Sequence, residues 1–86
     1  MPDKRAVLFD PHPLLLDTLE GILGRLDVVA VAKATTFDEA IAALRAERPD
    51  IIVADLDALP ASIEPPEFLA RCLSICSEIR AVVLSR

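Results

Sequence analysis

The run Ile51-Ile52-Val53-Ala54, closed by the single acid Asp55, restricts what this 86-residue chain can fold into more than any other feature. A short, continuous aliphatic run rich in β-branched side chains reads as a strand buried on both faces, the habit of parallel sheets. A carboxylate at the C-terminal end of such a strand lies in the crevice where open α/β sheets bind ligands and place their chemistry. Ala6-Val7-Leu8-Phe9 repeats the device and ends in Asp10. Either acid alone could simply cap the loop that follows it, as Asp commonly does. Delivered as a pair to one sheet edge, the two make a small acidic pocket suited to a divalent cation and a phosphoryl group.

The stretches between the apolar runs read as helices. Asp10-Pro11-His12-Pro13 is a loop opening the first of them, with Pro13 at the first helical position, where its missing N–H costs nothing. That helix is predicted over residues 14–26, with Leu15, Leu19, Ile22, Leu23 and Leu26 on its inward stripe. Gly21 and Gly24 weaken it. A second strand follows over residues 28–32. Thr36-Phe37-Asp38-Glu39 has the form of a capping box, with Thr36 as cap and Glu39 reaching back. It starts a second helix carrying Phe37, Ala40, Ile41 and Leu44 inward and ending before Pro49. The third strand lies within residues 50–56, and a proline-bearing irregular loop spans 57–66. A third helix starts at Pro66 or its neighbour and runs to Glu78, with Phe68, Leu69, Cys72, Leu73 and Cys76 inward. Residues 81–84 form a fourth strand, with Ser85 at its end. The β-α-β-α-β-α-β order implies right-handed crossovers and a parallel sheet with helices on both faces. The expected fold is an α/β three-layer sandwich with strand order 2-1-3-4, one domain over residues 1–86.

Composition narrows the partners. Hydrophobic residues make up 53% and aromatics 3%, so the core is built from Leu, Ile, Val and Ala. The net charge of −5 argues against this chain gripping a nucleic-acid backbone itself. No apolar run approaches a membrane span, and Met1 to Arg5 has no hydrophobic signal core behind it. The expected location is therefore the cytoplasm. Cys72 and Cys76 share one helical face, offer no CxxC spacing and pair poorly as a disulfide. They read as small apolar core residues.

Three segments carry a family resemblance. Val7-Leu8-Phe9-Asp10-Pro11-His12-Pro13-Leu14 resembles the first strand and acidic loop of bacterial two-component response-regulator receiver domains. It is most similar to the class joined to LuxR-type helix-turn-helix output domains, which usually carry Asp-Asp-His-Pro there. Arg48-Pro49-Asp50-Ile51-Ile52-Val53-Ala54-Asp55-Leu56 resembles the third strand, ending at the phosphoacceptor, and Ala81-Val82-Val83-Leu84-Ser85 the fourth. The landmarks are in register along the whole chain.

The resemblance implies a flavodoxin-like signalling module rather than an enzyme. Asp55 would accept a phosphoryl group from a sensor histidine kinase, to control transcription through a DNA-binding output domain. Mg²⁺ would be held by Asp10, Asp55 and the backbone carbonyl of Asp57, whose carboxylate is a further candidate ligand. Ser85 would hydrogen-bond the phosphoryl group, and His12 reads as a loop or helix-start residue without a part in the chemistry. Pro11 stands where most relatives have a second acid, so Mg²⁺ affinity is expected to be weak. Relative to the family, the fourth helix, fifth strand and fifth helix do not follow. The chain is then a fragment of a longer regulator, or its apolar surface is covered by another chain, and a homodimer is expected. The alternative is a degenerate receiver that signals by dimerisation or protein binding without phosphorylation. An unrelated flavodoxin-like nucleotide binder ranks behind both, because Asp10-Pro11-His12-Pro13 is not a glycine-rich phosphate loop.

Overall fold

The computed structural model describes residues 4–84. Four strands, β1 (Lys4–Phe9), β2 (Val28–Ala34), β3 (Ile51–Asp55) and β4 (Arg80–Leu84), alternate with α1 (Pro13–Gly24), α2 (Phe37–Glu47) and α3 (Pro65–Ile75). All neighbouring strands are parallel, in the order β2-β1-β3-β4. The two central strands are those with the uninterrupted aliphatic runs, because only they are covered on both faces. Between Ala6 and Val7 the pairing with β2 slips by one residue, leaving Val31 as a bulge.

Two cores flank the sheet. Ala6, Leu8, Leu16 and Val53 pack on the α1 side. Val7, Phe9, Ile52 and Ala54 face α2 and α3, where they meet Ala40, Leu44, Phe68 and Cys72. Phe9, Phe37 and Phe68, the only aromatic residues of the chain, form one cluster with ring centroids 6.1 Å apart in both contacts through Phe68. The aliphatic core is thus pinned at one aromatic point, directly behind the end of β1.

Helix starts follow their sequence signals. Pro13 opens α1, and Thr36 Oγ1 accepts the N–H of Glu39 at 3.2 Å. The Glu39 carboxylate reaches one residue further back than a capping box requires, to the N–H of Thr35 at 2.9 Å. At the other end of α2, Arg48 takes a left-handed conformation (φ 46°) and donates its N–H to Leu44 O. Pro49 bars a further turn, so the chain reverses there through a geometry that glycine adopts more readily. Arg48→Gly is therefore expected to stabilise the fold by about 0.5–1 kcal/mol, net of glycine's extra unfolded-state entropy. A urea unfolding curve with an unchanged or lower midpoint would refute this.

Two helix expectations need correction. Helix α1 buries Leu16, with Leu19 and Leu23 half-buried, whereas Leu15, Ile22 and Leu26 are exposed. Its apolar residues occupy too much of the circumference for periodicity to select the inward stripe. It also ends at Gly24 rather than Leu26. Helix α3 ends at Ile75, three residues before Glu78, because Cys76 turns extended (φ −130°, ψ 98°). That turn lets Cys76 Sγ approach Leu44 O at 3.8 Å. Leu73, expected inward, is exposed. Both cysteines are buried free thiols, and burial, reinforced by the neighbouring Cys76 sulfur, pushes the Cys72 thiol up to about 11. Among the described residues, no helix is long and apolar enough to cross a membrane.

Candidate functional site

Strand register builds the site. Phe9 pairs with Ala54, so the next residue of each strand, Asp10 and Asp55, stand side by side where the strands end. They are 1% and 2% exposed, the only buried charged residues among those described. Asp10 is anchored by its own N–H, which donates to Ala34 O on β2 at 3.0 Å. Its Oδ1 accepts the backbone N–H of His12 at 2.8 Å. The His12 ring folds back onto the same oxygen, with Nδ1 at 2.8 Å. An ionised carboxylate only accepts, so Nδ1 carries the proton in that contact. Asp55 Oδ1 accepts the N–H of Asp57 at 2.9 Å and caps a short 3-10 turn, Leu56–Ala58. Each acid thus caps the turn that follows it through Oδ1, at the edge where the two stand side by side.

Electrostatics tie the two acids together. Burial raises the Asp10 pKa, but four influences outweigh it: the His12 N–H, the His12 ring, the charge of that ring, and a hydrogen bond with the Asp55 carboxyl. Asp10 consequently titrates below its ordinary 3.8. Two acids buried side by side concentrate negative charge at this edge of the sheet. Among the described residues, no three His, Cys, Asp or Glu side chains group as a metal cage. Mg²⁺ needs no such cage, because it takes one or two carboxylates and fills its shell with water and phosphate oxygens. The pair fits a hard divalent cation on those terms.

The remaining expected site residues divide. Asp57 stands beside the pocket with an exposed side chain, and its N–H is committed to Asp55. Leu84 pairs with Asp55, which brings the end of β4 to the same edge, but Ser85 lies outside the described residues. His12 is the residue that sequence reasoning set aside and the structure brings in. The available signal was its spacing: an Asp-x-His loop with proline on either side of the histidine.

No protein-family model and no curated protein sequence matches the chain. Solved structures do. The chain is similar to a LuxR-family two-component response regulator from Aurantimonas sp. SI85-9A1, with 26% identity, a TM-score of 0.79, and coverage of 95% of this chain and 58% of that one. It is similar to the signal receiver domain of the response regulator NarL from Mycobacterium tuberculosis, at 23% identity and TM-score 0.75, covering 99% and 68%. The response regulator PhyR from Brucella abortus matches at 24% identity and TM-score 0.77, over 93% of this chain and 32% of that one. The fold is thus the flavodoxin-like fold of response-regulator receiver domains, with the strand order 2-1-3-4 expected from the sequence. The chain spans little more than half the length of the Aurantimonas regulator.

Proposed function

We propose that this chain is a phosphoacceptor receiver module of a two-component response regulator, with Asp55 as the nucleophile. The observation that carries the reading is the buried Asp10–Asp55 pair at the C-terminal edge of a receiver-type sheet. A carboxylate oxygen of Asp55 attacks phosphorus, and the phosphorus–nitrogen bond of a kinase phosphohistidine breaks, its electron pair returning to the imidazole. Asp10, Asp55 and the carbonyl of Asp57 would hold Mg²⁺, which supplies neutralisation of charge on the phosphoryl oxygens. Burial of Asp55 keeps competing water off the reacting carboxylate. Ser85 is proposed to bond the phosphoryl group, and the output is proposed to be transcriptional, in the cytoplasm. Incubation with Mg²⁺ and a small phosphodonor should add one phosphoryl mass to the chain, and Asp55→Asn should abolish the addition. An unmodified parent chain, or modification surviving in Asp55→Asn, would refute the assignment.

A second reading has its own observation. Pro11 removes an acid, and Val82 and Val83 of the edge strand β4 are 48% and 41% exposed. These features suit a receiver-like module that works by pairing with a second copy, without phosphotransfer.

A further inference from the structure

The acidic loop does two things at once. Pro11 withdraws a carboxylate from the pocket, and the same loop delivers an imidazole to the carboxylate that remains. A carboxylate oxygen has two in-plane lone pairs. Both of those on Asp10 Oδ1 are used, one by the His12 N–H and one by ring Nδ1, each at 2.8 Å. The backbone contact is the ordinary turn of an Asp loop. The ring contact is not required by that turn, nor does it cap α1, since His12 sits at the N-cap of the helix without a side-chain cap bond.

Proline on both sides limits the backbone from which the ring reaches Asp10. Pro11 has its φ fixed. Pro13 excludes His12 from helical geometry, and His12 is extended at φ −105°, ψ 103°. The backbone that carries the ring therefore has few alternative conformations. The ring is 57% exposed and the carboxylate 1%, so the imidazole lies across the solvent side of a buried acid.

We infer that His12 is a gate on the cation seat: its ring covers the solvent side of the Asp10 carboxylate, and its N–H draws at Oδ1 on the charge that a divalent cation held by that carboxylate would otherwise use. His12 is a positioning residue in this scheme. It touches Asp10 and not the phosphoryl group. The inference rests on the reading of Asp10 and Asp55 as a Mg²⁺ seat, and adds that weak affinity has a second cause besides the missing acid at position 11.

The test is a Mg²⁺ titration of the full chain, followed by backbone amide shifts of Asp10, Ala54 and Leu56 in two-dimensional NMR. Mn²⁺ line broadening of the same amides provides an independent readout of occupancy. His12→Ala should tighten Mg²⁺ binding by about tenfold, similar in size but opposite in sign to the loss that follows removal of an ordinary outer partner of a metal ligand, because this donor competes with the cation for the carboxylate. His12→Asn, whose side-chain N–H₂ can reach Asp10 from the position of Nδ1, should bind as the parent does. Amide shifts far from the loop report whether each variant is folded. Unchanged or weaker affinity in His12→Ala overturns the inference, and so does equal tightening in His12→Asn. Pro11→Asp separates the two levels of the argument. If it binds Mg²⁺ and His12→Ala is no better than the parent, the gate alone falls. If no variant binds Mg²⁺, the cation seat falls with it.

Discussion

Phe68→Ala should remove a large share of the stability of this domain. Phe68 is fully buried and contacts both other aromatic rings of the chain. Truncating a buried Phe costs about 3–5 kcal/mol through lost burial and the cavity left behind. Each lost ring pair adds roughly 0.5–1.5 kcal/mol, part of it already within that range. A domain of this size is stable by about 4–13 kcal/mol in total, at 0.05–0.15 kcal/mol per residue. The variant should therefore show a strongly lowered urea midpoint by circular dichroism, or no cooperative transition. A loss under about 1.5 kcal/mol would mean the cluster collapses around the gap and does not pin the sheet to α2 and α3. The effect should reach the site as well, because Phe9 is the residue before Asp10.

The second large effect is self-association through the β4 side of the sheet. Within the described sheet, β4 pairs only with β3, and Arg80 through Val83 are all exposed. Leu73 of α3, which lies near Ala81 of β4, is exposed as well. Edge strands with unpaired backbone groups and apolar side chains are templates for pairing with another chain. At ~25 cal/mol per Å², a few hundred Å² of apolar surface withdrawn from water gives several kcal/mol toward association. The chain should sediment as a dimer or larger species at high micromolar concentration. Val83→Lys should shift it to monomer, raising the dissociation constant by about tenfold or more, the equivalent of ~1.4 kcal/mol. A folded monomeric parent chain at that concentration would sink this prediction.

The parts of the fold that were legible in the sequence were those in which one force dominates. Buried central strands leave uninterrupted apolar runs, so β1 and β3 and the acids at their ends could be read directly. Helix α2 declared its start through Thr36 and its end through Pro49. Helix α1 did not declare its inward face. Leucine or isoleucine stands at positions 14, 15, 16, 19, 22, 23 and 26, and only packing against the sheet selects Leu16 over Leu15. The early end of α3 depends on a contact across the fold, from Cys76 to Leu44, which no local pattern encodes. The pocket was legible as two acids on one edge. The ring of His12 was not, because the Asp-x-His spacing only brings the histidine near the acid, and the ring contact itself depends on a loop conformation and a rotamer.

The bulge at Val31 makes β2 a strand read in two frames. Before it, Ala30 stands beside Ala6 on the α1 side. After it, Lys33 stands beside Leu8 and Ala34 beside Phe9. In an unbroken ladder from Ala6↔Ala30, the partner of Phe9 would be Lys33, and its ammonium group would point into the aromatic cluster. With the extra residue, Lys33 instead reaches Asp17 and Glu20 on α1, at 2.8 and 3.0 Å. The carbonyl of Ala34 is also left where the N–H of Asp10 can use it. The length of this strand is thus as much a part of the protein's chemistry as its composition. Shortening β2 by one residue would preserve every hydrophobic character in it and still misplace a charge, a core methyl group and the anchor of the acidic pocket.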